Sequence, residues 1–391
     1  MQTKSFVCAA VLAALAGWGG SARAQMGPMG GPMAPYGVMG VGGHGMMAGA
    51  MPVSATGSIS QGPNCAAPGC CSGVSCGDDG GCCDDCGGWC HHISVFGEFL
   101  YLRPRNAEIA YTVPIDGNLV PGGTQFQIGP VRVVDPDFAP GFRFGAGFTL
   151  SECDQIVMTY SQLDSHTQDA ISLGGTGPVL RSLVGPLPAA LNAAQDSLDS
   201  RAVLDTQFKL FDVDYKGLFA YSCDYRMAYV VGARYANLEQ HFVSVSEVNG
   251  ANNVLAESEF DGVGLKFGLE GERYARCTQF FVYGKGDVNF IGGQFRTRYQ
   301  FNNQSDPLIV DTSWKAGRVV TIVDLEVGAG WRNHCDNLRF SVGYLFSSWL
   351  NVVKTNEWIN TVQQNNFVDP SDNYNGMMTF DGLTARVEFL W

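Results

Sequence analysis

The sequence predicts an all-β transmembrane protein: an antiparallel up-and-down β-barrel of about ten strands, with a disordered and Cys-rich N-terminal extension. Three observations carry that prediction. Apolar and polar residues alternate with period two, in blocks, from residue 92 onward. Short turns, each bearing a cysteine, alternate with long connections. The chain also ends on an apolar strand face that finishes in Trp391.

Composition agrees. Of 391 residues only 16% are charged, while aromatics reach 12% and glycines number 50. Few charges and many aromatics, without a continuous apolar run, suit a large β protein and not a helical bundle. The net charge of −13 excludes a basic nucleic-acid binder, which needs clustered cations.

Taken in order, residues 1–24 read as a signal peptide. Lys4 precedes the apolar run Phe6 to Leu15, and Ala22-Arg23-Ala24 makes the cleavage site. Residues 25–62 form a Met/Gly/Pro-rich segment with little to bury, expected to be a disordered linker. Its methionines around His44 are soft enough donors for Cu(I), but Gly/Pro spacing fixes no ligand geometry. Residues 63–91 form a neck holding Cys65, Cys70, Cys71, Cys76, Cys82, Cys83, Cys86 and Cys90. In an exported chain such density indicates a disulfide knot. The run Cys83, Cys86, Cys90, His91 also resembles a zinc site, but oxidising surroundings favour disulfides. No cofactor or metal is assigned.

The barrel is expected over 92–391. In 142–150, Phe142, Phe144, Ala146 and Phe148 alternate with Arg143, Gly145, Gly147 and Thr149; 211–219, 263–270 and 322–331 repeat the pattern. Four short turns are marked by Cys153, Cys223, Cys277 and Cys335. They pair strands expected at 141–151 with 155–163, 207–221 with 226–240, 259–274 with 279–291, and 319–332 with 337–349. Strands at 92–103 and 378–391 complete an even set, with both termini on the short-turn side, expected to be periplasmic. Leu383, Ala385, Val387, Phe389 and Trp391 share one face. That terminal pattern looks like the insertion signal read by the barrel-assembly machinery. Trp331 and Tyr221 suggest one aromatic belt, and Trp349, Tyr160 and Tyr235 the other. Outer-membrane lipid is then the main partner.

Gly97-Glu98-Phe99-Leu100-Tyr101-Leu102-Arg103-Pro104, the stretch DFAPGFRFGAG at 137–147 and Gly232-Ala233-Arg234-Tyr235 together resemble the Legionella-type major outer-membrane protein family. The resemblance spans about 92–391 and implies an outer-membrane location and pore-forming activity. It carries over no site residue.

Assigning alternate positions inward gives the lumen cations Arg143, Lys216, Arg234, Lys266, Lys285, Arg339 and Arg386. The lumen acids are Glu98, Asp212, Asp214, Glu270, Asp287, Asp324, Glu326 and Glu388. Two readings stand: a narrow pore for passive passage of ions or small solutes, or an ion-paired filling that shuts a structural envelope barrel. The five long connections hold 17 Asp and Glu against 9 Lys and Arg, so a pore would favour cations. The 164–206 connection carries the helix-spaced residues Leu187, Leu191, Ala194 and Leu198, expected to pack at the mouth. No catalytic set emerges, because none of His166, His241 and His334 stands beside a Ser or Cys nucleophile with an orienting acid expected on a neighbouring strand. The four turn cysteines are not explained by turn chemistry. Neighbouring turns stand too far apart for direct bonds, so neck thiols are expected to bond to them, within one chain or to other envelope proteins.

Overall fold

The computed structural model describes residues 91–391 except 117–125, 152, 175–176, 187–195, 223, 248–250, 276–277, 303–308, 335 and 365–375. The signal peptide, the linker, the eight neck cysteines, and Cys223, Cys277 and Cys335 lie outside the described residues.

Among the described residues, thirteen strands and one helix follow in chain order: β1 (Ile93–Arg105), β2 (Ile109–Asp116), β3 (Arg132–Val134), β4 (Ala139–Ser151), β5 (Asp154–Ser172), β6 (Pro178–Ser182), β7 (Asp199–Ser222), β8 (Tyr225–Glu247), β9 (Ala251–Tyr274), β10 (Phe280–Asn302), β11 (Val310–Arg332), β12 (Leu338–Val352), α1 (Thr355–Gln364) and β13 (Gly376–Leu390). Ten of the strands close a barrel in the order β1-β13-β12-β11-β10-β9-β8-β7-β5-β4, and β3-β2-β6 form a separate small sheet. Every neighbouring pair in the ring is antiparallel. Closure runs from Ser94↔Leu390 to Arg105↔Thr379, and leaves no strand edge in the ring unpaired.

The wall has two storeys. Next to the short turns the apolar side chains point outward: Phe211, Val213, Tyr215, Phe219 and Tyr221 on β7, or Val263, Leu265 and Phe267 on β9, are exposed. On β7 this band climbs about ten residue steps of ~3.3 Å at a tilt near 40°, roughly 25 Å, the height of a bilayer core. Aromatics edge it on both sides. Tyr221, Tyr225, Phe280 and Trp391 lie near the short turns, and Tyr101, Phe142, Phe211 and Tyr235 near the other rim, all exposed. Trp349, expected in this second belt, is instead fully buried against Phe208 and Phe380. It has the opposite parity to the outward-facing Phe340, Val342, Tyr344 and Phe346 on β12, so it points into the lumen.

Above the band the pattern reverses. On β8 the odd positions Tyr229, Val231 and Tyr235 are exposed, whereas further on the even positions Ala236, Leu238 and Phe242 are buried. The outer wall there carries Asn237, Glu239 and His241. β7 to β11 therefore run well past the lipid, and at the long-loop end they extend beyond the expected strands.

Leu383, Ala385, Val387, Phe389 and Trp391 stand on the outer face at the closing seam, with the Phe389 and Trp391 rings stacked 6.2 Å apart.

Candidate functional site: the lumen and its plug

Because side chains alternate across a strand, a polar residue placed between lipid-facing ones must enter the lumen. The structure puts every cation and acid assigned inward there, and in contact. Arg234 forks onto Asp212 with two bonds of 2.7 Å and reaches Asp324 at 2.5 Å. Lys266 donates to Asp212 at 3.0 Å and Asp214 at 2.8 Å, with Asp287 at 3.8 Å. Arg143 bridges Glu98 and Glu326 at 3.1 and 3.2 Å, and Lys285 joins Glu326 at 3.3 Å. Lys216 pairs with Glu270 at 2.6 Å, and Arg386 with Glu388 at 3.0 Å.

Toward the short turns the layer continues through the assigned Arg339 and through Arg226, Glu272 and Asp336, which the sequence pattern had not assigned. Arg226 holds Glu272 at 2.7 Å, and Arg339 holds Asp336 at 2.5 Å. Their signal was present: Arg226 shares the inward parity of Arg234 on β8, and Glu272 that of Glu270 on β9.

The middle of this layer is nearly dry. The Arg234, Lys266, Asp212 and Asp214 side chains are each 5–7% exposed. Desolvating an ion costs several kcal/mol, so such a layer is tolerable only when each charge meets partners of opposite sign. The wall is shaped for this. Asp214 lies opposite Gly232, and Asp287 opposite Gly268. A Cβ at either glycine would overlap the carboxylate. Two cavities of about 60 Å³ each remain inside the layer, sized for a few waters.

Above the charges lies an apolar core. Phe208, Phe260, Phe295, Tyr299, Trp349 and Phe380 from the wall meet Trp358, Ile359 and Val362 from α1, all buried. Phe208 meets Phe380 edge-on at 4.9 Å, and the Phe260 and Phe295 rings lie 4.6 Å apart. Chain geometry brings the helix here. Asn351 adopts a positive φ of 65° at a register shift in β12, which turns the chain inward. Ser258 then donates to the Val353 carbonyl at 2.8 Å, and the Thr355 amide donates to Gln240 at 3.3 Å. Gln363 donates to the Gly185 carbonyl at 2.5 Å, tying α1 to the connection after β6. The mouth was expected to receive the 187–198 segment; of that stripe Leu187, Leu191 and Ala194 lie outside the described residues.

At the mouth, burial and a 3.0 Å hydrogen bond to Asp169 push the Tyr111 phenol well above its ordinary value. Arg181 is raised by its hydrogen bonds to Asp196. His166 and His241 stand on the outer wall beside Asp205 and Glu257, and His334 sits in a short turn against Gln279. Cys153 is half-buried and carries no disulfide among the described residues. No group of three or more His, Cys, Asp or Glu side chains that could hold a metal ion occurs among those residues.

A family model described as the Legionella pneumophila major outer membrane protein precursor matches residues 90–390, the whole barrel. The chain belongs to that family. It is an outer-membrane β-barrel protein. The barrel is similar to that of the outer membrane protease OmpT from Escherichia coli, at 12% identity and a TM-score of 0.42, covering 77% of this chain and 97% of that one. A Pseudomonas aeruginosa FadL homologue matches at 8% identity and a TM-score of 0.20, covering 76% and 90%. The Vibrio cholerae outer membrane protein OmpT matches at 7% identity and 0.14, covering 75% and 99%. No curated protein sequence matches the chain.

Proposed function

We propose that the protein is a sealed outer-membrane barrel that anchors envelope structure, its work done at its two ends and not through its lumen. The observation that supports this is the double filling of the described lumen: a paired charge layer inside the lipid band and an apolar core above it. An ion crossing would have to break the first and then enter the second, losing its hydration with no compensating partner. Of the two expectations, the geometry favours the structural barrel over the narrow pore. The positions of the histidines, on the outer wall or in a turn, support a non-enzymatic reading.

The full chain reconstituted in a planar bilayer should stay silent across voltage and salt. Discrete conductance steps would overturn the sealed reading and restore the pore.

The short-turn end is assigned to the periplasm, together with both barrel termini, since short turns face that side in such barrels. The His92 amide donates to the Trp391 carbonyl at this end, where Cys153 also lies, so the chain preceding residue 91 joins the barrel on the short-turn side. Disulfides between neck and turns would tie the anchor to itself or to neighbouring envelope proteins. Non-reducing gels should then show fast-running monomers or ladders; full alkylation of Cys153, Cys223, Cys277 and Cys335 without reductant would exclude both. The outward face ending in Trp391 supports recognition by the barrel-assembly machinery. Deleting Trp391 should lower the yield of heat-resistant barrel in the outer membrane, and an unchanged yield would remove that role.

A further inference from the structure

At the short-turn end of the lumen three arginines share two carboxylates. Arg226 holds Glu272 at 2.7 Å, Arg339 lies 2.5 Å from Asp336 and 3.6 Å from Glu272, and Arg332 lies 3.6 Å from Asp336. We propose that this positively charged group receives the acidic neck of the same chain, Asp78-Asp79 and Asp84-Asp85, which docks across the short-turn mouth.

Charge points to that occupant. The cavity of about 60 Å³ beside the arginines is also lined by Lys216, Lys285 and Arg386, which makes five cations against the three acids Glu270, Glu272 and Glu388. The buried Nε of Arg386 has no hydrogen-bond partner among the described residues. The cluster is open to an incoming segment, since the Arg332 and Asp336 side chains are 29% and 28% exposed and that of Glu272 25%. The neck is the complement. From residue 25 to residue 90 the sequence holds no Lys, Arg or Glu, and its Asp residues fall together at 78, 79, 84 and 85.

The position of the chain is the second argument. The His92 amide donates to the Trp391 carbonyl at 2.6 Å, which fixes where the neck meets the seam between β1 and β13. From β1, Arg339 on β12 is two strands away in the ring, and Arg332 on β11 is three. At about 4.8 Å per strand, these side chains start roughly 10–15 Å from the seam. The chain from Asp85 to His91 spans up to about 20 Å, so Asp84 and Asp85 reach the arginines without strain. A tether this short holds the acids at an effective concentration of about millimolar, where pairs that would be weak between separate molecules still form.

The inference rests on the anchor reading for its end of the barrel, and it says where the neck sits before any disulfide forms. In the sequence Cys335 adjoins Asp336, and Cys83 and Cys86 flank Asp84-Asp85, so a docked neck presents thiols to that turn.

The test uses the full chain folded in detergent with its thiols kept reduced, and reads hydrogen exchange over residues 76–90. At low salt, exchange there should be about tenfold slower than that of a free chain, as expected of several exposed pairs on a short tether. Asp78→Asn, Asp79→Asn, Asp84→Asn and Asp85→Asn together, which alter no barrel residue, should abolish the protection, and so should salt of about 1 M. Arg332→Gln should weaken it severalfold. Lys315→Gln, at the long-loop end of β11, should leave it unchanged. Three results would overturn the docking: free-chain exchange in the parent, protection that survives the four Asn substitutions, or protection that appears only once the thiols are oxidised. None of them alters the bilayer silence that tests the sealed barrel, so the two readings fail separately.

Discussion

Replacing Arg234 with leucine tests whether the lumen is dry. Arg234 supplies both bonds of a fork to Asp212 and the short bond to Asp324. Without it Asp212 keeps Lys266 at 3.0 Å, but Asp324 keeps only Ser347 at 2.5 Å and Asn289 at 3.5 Å. One carboxylate, 13% exposed, is then left without a cation in ion-pair contact, with Arg143 the nearby positive charge that remains. Stranding a buried charge in this way costs about 3–5 kcal/mol, whereas in a water-filled pore the same pair would contribute only about 0–1 kcal/mol. The assay is urea unfolding of the barrel in detergent, followed by tryptophan fluorescence and by heat-dependent gel mobility. Arg234→Leu should lose at least about 3 kcal/mol. Arg234→Leu combined with Asp324→Asn should recover most of it, because the orphaned charge is gone. A loss below about 1 kcal/mol at unchanged denaturant slope would refute the dry lumen, and the sealed reading with it.

Trp358→Ala should loosen the plug by about 3–5 kcal/mol, seen as faster hydrogen exchange over 355–364, while bilayers stay silent because the charge layer below is intact. Unchanged exchange would mean that α1 does not depend on this core. Gly268→Ala places a methyl on the Asp287 carboxylate and should cost about 1–3 kcal/mol; a neutral result would show that the wall yields there. Above the lipid, burial would raise Asp261, but hydrogen bonds from Tyr235 and Asn237 and the Arg296 charge hold it below its ordinary value; Arg298 does the same to Asp311 by hydrogen bonding. Groups depressed by folding stabilise above their unfolded pKa, about 3.9, and lose that contribution as pH falls through the folded value. Hydrogen exchange at the long-loop end should therefore accelerate below about pH 4, before it does in the lipid band. Glu259 has the opposite sign: burial and then Asp261 raise it, so its ionisation destabilises as pH rises through the folded value. Glu259→Gln should raise the melting temperature slightly at pH 7 and not at pH 4. A lowered melting temperature at pH 7 would contradict that sign.

The ring order, the four short turns and the lumen charges were legible in the sequence because lipid allows no ambiguity. A charged residue between outward apolar ones has only one place to go. The long-loop ends were not legible in the same way. Strands expected at 207–221 and 279–291 run over Asp199–Ser222 and Phe280–Asn302. Past Phe211 and Phe290 the apolar residues change parity, so a search for continued alternation stops at the membrane surface. α1 was hidden for another reason. Its buried apolar contribution is only Trp358, Ile359 and Val362, inside an Asn- and Gln-rich connection that gives no helical stripe of ordinary length. Trp349 was misplaced by composition: a tryptophan near a rim suggested a belt, although its parity already pointed inward.

That change of parity also explains why the described lumen is filled. In the lipid band the outward side chains need no partner, because acyl chains solvate them, and the lumen can be polar. Where the wall rises into water the solvent lies outside, and Leu204, Phe208, Leu238, Phe260 and Phe295 must turn away from it. In a barrel of about ten strands the interior is just wide enough for such side chains to meet across it. Their mutual burial supplies the apolar core of strands that project so far, beside the ladder pairing and the outer-wall ion pairs. This filling is therefore continuous with the wall that carries it. It is the apolar core of the projecting storey, with Trp358, Ile359 and Val362 of α1 packed among the wall residues. Charges on the outer wall at the boundary, among them Lys209, Asp261 and Arg296, then fix the height of the barrel, because sinking it by one turn of the pleat would drive them into hydrocarbon. Height, closure and the reversal of pattern are one property of the sequence, written into each of β7, β8, β9 and β10.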